Sequence, residues 1–333
     1  MKYRAALVGM SLVATIVLLG AAAPFDPSPY VRPQRLVDVG HRRMNLYCSG
    51  SGSPTVVLDS GLGRDMFDWR LVQARIARRT RVCSYDRAGM GFSDAASSPR
   101  SAGAVVTDLH ALLRNAGIAP PFVLVGHSIA GLYVRLYADR YPREVAGLVL
   151  VDPATEYQDR RFHAIAPALI QFDERQTRGL KTCAAAAARG ELHAGTRADR
   201  MCVPPPDPDW SDALNAAVSQ QLRRASMWKA LGAERDAFGT TSSAQVRAEQ
   251  RSYGSLPLVV LTAGKSEDPD VVSPAQKIAL AKDWGRSHDR VAALSSRGVN
   301  RTVPGAAHFI QLDRPSSVVA AVDEVVDRAR SSR

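Results

Sequence analysis

A serine at position 128 lies where an apolar run changes to a helical pattern, in the segment VLVGHSIAG at residues 123–131. A serine on a sharp strand-to-helix turn needs small residues two positions to either side, because the backbone there is crowded. Gly126 and Ala130 meet this requirement, although the pattern G-x-S-x-G has glycine where Ala130 stands, and the extra methyl group narrows the turn. We predict that Ser128 is a nucleophile presented on such a turn.

A serine hydroxyl is a weak nucleophile unless a general base removes its proton during attack. Among the seven histidines, His308 follows the predicted last strand and precedes Pro315 and a closing helix, so we predict that it is this base. The His127 side chain cannot fold back to accept a proton from the hydroxyl of its neighbour Ser128, and we interpret His127 as a packing residue. Four others are interpreted as surface or packing residues: His110, His163, His193 and His288.

Attack on an acyl group also needs two backbone donors for the oxyanion. The N–H of Ile129, directly after the serine, is the first candidate. The loop Ser60-Gly61-Leu62-Gly63 follows an apolar strand, and its glycines allow the backbone to approach closely, so Leu62 is the second candidate. We predict an oxyanion hole formed by these two N–H groups.

Short apolar runs indicate the strands that must position these residues: 35–39, 44–48, 55–58, 81–85, 122–125, 147–151, 258–262 and 300–303. The first two are half-polar, as in an antiparallel edge, and the central ones are apolar on both faces, as in a parallel sheet. Apolar residues at helical spacing predict three helices. One includes residues 105–113, one runs from Ser128 to about Arg140, and one closes the chain over 316–328. The pattern predicts an α/β fold with a mostly parallel sheet.

Residues 153–255 differ from the segments on either side. They are rich in alanine and arginine, include three consecutive prolines from Pro204 to Pro206, and contain no convincing strand. We interpret them as a helical cap or lid inserted into a core formed by residues 35–152 and 256–330.

The order of four segments resembles the α/β-hydrolase superfamily: Ser60 to Gly63, Tyr85 to Asp94 (YDRAGMGFSD), the Ser128 turn and the His308 loop. The resemblance covers about residues 35–152 and 256–330 and implies an eight-stranded, mostly parallel sheet with the cap before its last two strands. The first loop has Ser60-Gly61 where the superfamily usually has His-Gly, which keeps the backbone donor. The glycines of the second segment indicate a structural role.

The superfamily usually places the acid of its catalytic triad after the strand at 258–262, which implies Glu267 or Asp268, and less often one strand earlier, which implies Asp152. We predict Asp152. This residue directly follows a buried strand and is held by Pro153, whereas Glu267 lies in an exposed-looking run of charges. An acid that fixes the tautomer of a histidine has to be held in a sheltered position.

Residues 1–23 indicate export, because Lys2 and Arg4 precede an apolar run that ends in small residues suited to cleavage. The run approaches the ~20 residues that span a bilayer, so a cleaved signal peptide and an uncleaved membrane anchor both stay open. Either form predicts a secreted or periplasmic protein, or one anchored to the outer face of the cytoplasmic membrane.

The even number of cysteines agrees with an oxidising compartment. The strand order of the superfamily places Cys48 beside Cys83, and Cys183 and Cys202 both lie in the insertion. The resemblance therefore implies the disulfides 48–83 and 183–202.

The net charge of +11 comes from arginines scattered along the chain, without interleaved aromatic residues, so nucleic acid is not an expected partner. A basic surface that associates with an anionic cell envelope or membrane is the simpler interpretation. No cysteine or histidine cluster has metal-ligand spacing, and we expect neither a metal nor another cofactor.

These residues predict hydrolysis of a small ester-like substrate through an acyl-enzyme, most simply by a carboxylesterase or lipase-like enzyme. Haloperoxidase, thioesterase, peptidase and acyltransferase activities use the same residues and stay open. The alternative from another class is a noncatalytic ligand-binding protein on a hydrolase scaffold.

Overall fold

Eight strands form one sheet in the computed structural model of the protein, which describes residues 25–96 and 99–331. Their order is β1-β2-β4-β3-β5-β6-β7-β8, with β2 antiparallel to both of its neighbours and all other neighbours parallel. The strands are β1 (Arg35–Asp38), β2 (Arg43–Ser49), β3 (Thr55–Asp59), β4 (Val82–Tyr85), β5 (Phe122–His127), β6 (Val145–Val151), β7 (Leu258–Ala263) and β8 (Gly298–Val303). Each strand begins and ends within two residues of its predicted bounds, and the predicted eight-stranded, mostly parallel sheet is confirmed.

Twelve α-helices accompany the sheet in the described residues. They are α1 (Gln73–Ile76), α2 (Ala102–Asn115), α3 (Ala130–Arg140), α4 (Gln158–Ile165), α5 (Ala168–Ala188), α6 (Arg197–Cys202), α7 (Asp212–Leu222), α8 (Ala225–Ala237), α9 (Ser243–Glu249), α10 (Pro274–Ala292), α11 (Ile310–Asp313) and α12 (Pro315–Ser331). The helix predicted to begin at Ser128 begins at Ala130, because Ser128 has a φ of 53° and cannot be part of a right-handed helix.

The sheet is buried on both faces, as the apolar runs predict. Successive residues of β5 point to opposite sides, so Leu124 packs in the layer with α2 and α3, while Val123 and Val125 pack in the layer with α12. This double burial explains why the central strands have no polar alternation.

The segment between β6 and β7 is helical, as predicted, and contains α4 to α9 with a π-helical turn at Phe238–Ser242. Its helices α5, α6 and α8 share an apolar cluster with Met90, so the segment is anchored on the loop after β4. Its function as a cap stays a prediction.

Both implied disulfides are present. Cys48 and Cys83 are paired directly opposite each other on β2 and β4, and Cys183 and Cys202 join α5 to α6. The predicted signal peptide or anchor at residues 1–23 lies outside the described residues. Within the described ranges no helix has the length and apolar character needed to cross a membrane.

Candidate active site

Ser128 occupies a strained turn at the carboxyl end of β5. Its φ of 53° lies in the left-handed region, which residues other than glycine rarely adopt. The turn is held on both sides, because the Ser128 N–H donates to the Val151 carbonyl at 3.1 Å and the Ser128 carbonyl accepts from Gly131 and Ala154 at 2.9 Å each. Strain of this kind persists only where the surroundings enforce it, and it is concentrated at functional sites.

The turn leaves no space for side chains at two glycines. A Cβ at Gly126 would lie 2.6 Å from the Ala130 carbonyl oxygen, and one at Gly131 would lie 2.5 Å from Cβ of Pro153. The methyl group of Ala130 is itself fully buried, so the departure from glycine at that position is accommodated. On the side of the turn where α3 begins, the position that requires glycine is Gly131, because Pro153, in the chain after β6, packs directly against it.

Asp152 and His308 meet beside this turn. Asp152 directly follows β6, and its Oδ2 accepts a hydrogen bond from His308 Nδ1 at 2.7 Å. The carboxylate is almost fully buried, while a third of the imidazole is exposed. Burial raises the pKa of Asp152, but the hydrogen bond and the charge of His308 lower it more, so the net pKa is below its ordinary value. An ionised, fixed carboxylate therefore faces Nδ1 and leaves Nε2 for proton transfer.

The other two candidate acids do not reach this histidine. Glu267 is exposed, and the Asp268 carboxylate accepts a hydrogen bond from Ser266 in the loop after β7. Both line the cavity next to His308, but within the described chain neither hydrogen-bonds its imidazole.

His127 connects the Ser128 turn to the His308 loop. It is buried, as predicted for a packing residue, and its Nε2 donates to the His308 carbonyl at 3.0 Å, with the two rings 4.7 Å apart. Burial, together with the charge of His308, lowers the pKa of His127 to about 3. His127 is therefore neutral near pH 7. In the described structure no hydrogen bond joins the Ser128 hydroxyl to His308, a contact that in free enzymes is often long and shortens when substrate binds.

The loop after β3 lies directly on the turn. A Cβ at Gly61 would lie 2.9 Å from His127 Nδ1 and 3.5 Å from Cβ of Ser128, so a glycine is required for this approach. Leu62, the next residue, is half-buried and packs against the apolar clusters on either side of the loop. Among the described residues, the N–H groups of Leu62 and Ile129 donate to no backbone or side-chain acceptor. Both N–H groups predicted to form the oxyanion hole are thus unpaired in the described structure, and their role stays a prediction.

A buried arginine that the sequence analysis did not identify holds this loop. Arg87 donates to the Ser60 carbonyl at 2.5 Å and to the Gly61 carbonyl at 2.7 Å. It forms buried ion pairs with Asp59 at 2.8 Å and with Glu234 of α8 at 2.9 Å. The sequence analysis assigned a structural role to the glycines of the YDRAGMGFSD segment, and the structure adds a role for its arginine, which ties the loop after β3 to a helix of the inserted segment. Glu234 has no sequence signal that would have indicated it.

A tryptophan on α10 was also missed. Trp284 Nε1 donates to Asp152 Oδ1 at 2.8 Å, and the Ala263 N–H donates to the same oxygen at 2.8 Å. His288, one turn further along, is a fully buried packing residue between Thr262 and the Pro153 carbonyl. These contacts fix the carboxylate in the orientation that presents Oδ2 to His308.

Two cavities lie next to these residues. One of about 380 Å³ includes His308 and Asp152 in its wall, together with Phe162 of α4 and Trp284. The other, of about 220 Å³, extends from Gly63 in the loop after β3 to inserted residues that include Trp210 and Met227. Within the described ranges no group of three or more histidine, cysteine or acidic side chains could hold a metal ion.

Comparisons with known proteins agree with this architecture. YqjL of Bacillus subtilis, an uncharacterised protein, is 24% identical over 276 residues, which are 83% of this chain and 85% of YqjL. An esterase from Thermogutta terrifontis superposes with a TM-score of 0.57 at 17% identity, over 90% of this chain and 99% of the esterase. An epoxide hydrolase, CorEH, superposes with a TM-score of 0.56 at 17% identity, over 88% of this chain and 96% of its own.

The two structural likenesses show a shared fold. The sequence profile of the alpha/beta hydrolase family matches residues 56–322, which include the Ser128 turn, Asp152 and His308. With the sheet order and the family match together, the chain belongs to the alpha/beta hydrolase family.

Proposed function

We propose that this family member is a serine hydrolase that cleaves ester-like bonds through an acyl-enzyme. Ser128 is the nucleophile, His308 the general base and Asp152 the acid that orients it. The observation that carries the proposal is the 2.7 Å hydrogen bond between Asp152 and His308 at the sheet edge where half-buried Ser128 occupies a strained turn. The carboxylate is almost fully buried while a third of the imidazole is exposed, so the acid is fixed in place and the base faces the cavity beside it.

In the first half-reaction, Ser128 Oγ bonds to the acyl carbon as its proton passes to Nε2 of His308. Asp152 holds Nδ1–H and stabilises the imidazolium that forms, which requires an ionised carboxylate. The lowered pKa of Asp152 meets this requirement. The N–H groups of Leu62 and Ile129 donate hydrogen bonds to the carbonyl oxygen and stabilise the negative charge that develops on it.

Collapse of the tetrahedral intermediate breaks the bond to the leaving alcohol, which takes the proton from His308 and departs. Water then attacks the acyl-enzyme, with its proton passing to His308, and a second collapse releases the carboxylic acid and restores Ser128 Oγ–H. The two half-reactions together consume one ester and one water and release one alcohol and one carboxylic acid.

The residue at the turn separates this proposal from other chemistries of the fold. Epoxide hydrolases and dehalogenases with this fold use a carboxylate as nucleophile, whereas position 128 is a serine. Cavities of about 380 Å³ and 220 Å³ near His308 and the loop after β3 have room for a small ester. These features favour a carboxylesterase-like activity. The two disulfides favour an exported protein.

Labelling with a fluorophosphonate tests the proposal, because this reagent reacts with activated serines. We expect stoichiometric labelling of the wild type and turnover of short p-nitrophenyl esters. Both should be lost in Ser128→Ala and retained in Ser266→Ala, which removes an exposed serine from the wall of the cavity next to His308.

Full labelling of Ser128→Ala would contradict the assignment of the nucleophile. A folded wild type that neither labels nor hydrolyses any ester would favour the noncatalytic binding protein instead.

A further inference from the structure

A third cavity, of about 590 Å³, lies between α4, α9 and α10 and is separate from the residues proposed for catalysis. Neither Ser128, Asp152 nor His308 is in its wall. The wall of this cavity is strongly basic, since it has one carboxylate, that of Glu156, and five arginines: Arg135, Arg160, Arg161, Arg247 and Arg290.

Two of these arginines are already neutralised. Arg135 forms a bidentate ion pair with Glu156 at 2.7 and 3.2 Å, and Arg161 pairs with Asp283 at 3.0 Å. The sole carboxylate of the wall is therefore engaged. The net positive charge of the cavity comes from the other three arginines.

Arg160, Arg247 and Arg290 are exposed, and none of them forms an ion pair with a carboxylate in the described structure. Arg160 lies over the ring of Tyr157, and Arg290 donates to the Ser287 hydroxyl at 2.8 Å. Three like charges in one concave wall repel one another, and an anion between them would relieve that repulsion. Guanidinium groups bind phosphate and carboxylate oxygens through paired hydrogen bonds.

The rest of the wall has a different character. Ala164, Val291 and Leu294 supply an apolar side, and the volume of about 590 Å³ exceeds what an inorganic anion would fill. We propose that this cavity binds the phosphate group of a small phosphorylated molecule through Arg160, Arg247 and Arg290, with its organic part against the apolar side. The site is independent of the function proposed above.

Titration of the purified protein with phenyl phosphate in 0.15 M salt, followed by calorimetry, tests the proposal. We expect saturable one-to-one binding that is tighter than that of inorganic phosphate, because only the ester reaches the apolar side. Arg247→Gln and Arg290→Gln should each weaken binding by about tenfold, the usual effect of losing a hydrogen bond to a charged group.

Arg143→Gln is the matched control, since it removes an equal charge from an exposed arginine before β6 that is not in the wall of the cavity. It should bind phenyl phosphate like the wild type. Binding of the protein to phosphatidylglycerol vesicles distinguishes the two sources of the phosphate. Vesicle binding that is lost in Arg247→Gln identifies a lipid headgroup as the ligand, and no vesicle binding by the wild type identifies a soluble phosphate ester.

Absence of saturable phenyl phosphate binding by the folded wild type would overturn the proposal. Equal weakening by Arg143→Gln and by the two cavity variants would also overturn it, because the attraction would then come from the overall charge of +11.

Discussion

Replacing Asp152 by asparagine changes one atom of the proposed triad while keeping its shape. Oδ1 of Asp152 accepts hydrogen bonds from the Ala263 N–H and Trp284 Nε1, both at 2.8 Å. In the variant these two donors hold the amide oxygen in the same place, so the amide nitrogen has to face His308 Nδ1. The imidazole then keeps its own proton on Nε2 and cannot accept one from Ser128.

The expected loss in kcat is about 10⁴-fold, the effect of the same change in a Ser-His-Asp triad, which corresponds to a barrier higher by about 5 kcal/mol. KM should change little, because Asp152 lies behind the histidine and is nearly buried. Steady-state hydrolysis of a short p-nitrophenyl ester measures both constants.

Glu267→Gln and Asp268→Asn are the matched controls, since each makes the same chemical change in a carboxyl that lines the cavity near His308 without bonding to its imidazole. Both should keep kcat within a few-fold of the wild type. If Asp152→Asn stays nearly fully active while either control loses activity by orders of magnitude, the assignment of the acid is wrong.

Three further changes test the surroundings of the site. Trp284→Phe removes one of the two donors to Asp152 Oδ1 and should lower kcat by about fivefold, the worth of one hydrogen bond, whereas an unchanged kcat would show that the donor is dispensable. Because the pKa of His127 is lowered to about 3 in the folded protein, the unfolded state takes up the proton at a higher pH than the folded state does. The free energy of unfolding should therefore fall as pH falls from about 6.5 towards 3, and His127 should contribute about 1.4 kcal/mol of this loss per pH unit. Chemical denaturation at pH 7 and pH 5 should show a smaller decrease in the free energy of unfolding for His127→Gln than for the wild type. Equal decreases in the two proteins would contradict His127 as the source of the pH dependence. Gly126→Ala places a methyl group 2.6 Å from the Ala130 carbonyl oxygen and should destabilise the protein by about 1 to 3 kcal/mol in thermal unfolding, whereas an unchanged Tm would refute the close packing of the turn.

The strands could be predicted because local sequence carries their signal. Each central strand is buried on both faces and reads as a short apolar run, as in residues 123–125 of β5. The start of α3 was misplaced by two residues, because a helical hydrophobic pattern does not show that Ser128 has a positive φ. Backbone conformation at a single residue leaves little trace in periodicity.

The choice of Asp152 rested on a local feature, its position directly after a buried strand, and β6 and the loop after β8 bring Asp152 and His308 to one edge of the sheet. The supports of the site could not be found in this way. Trp284 and Glu234 lie on helices far along the chain, and their contacts with Asp152 and Arg87 depend on how those helices pack. Nothing in their neighbouring residues distinguishes them from surface positions.

Trapping the covalent intermediate tests the central claim most directly. Rapid mixing with p-nitrophenyl acetate, acid quenching and peptide mapping by mass spectrometry should show a burst of one p-nitrophenolate per enzyme and one acetyl group on the peptide that contains Ser128. The Ser128→Ala variant should show neither. A burst with the acetyl group on another residue, or ester turnover by the wild type with no covalent adduct, would contradict a mechanism in which Ser128 forms the acyl-enzyme.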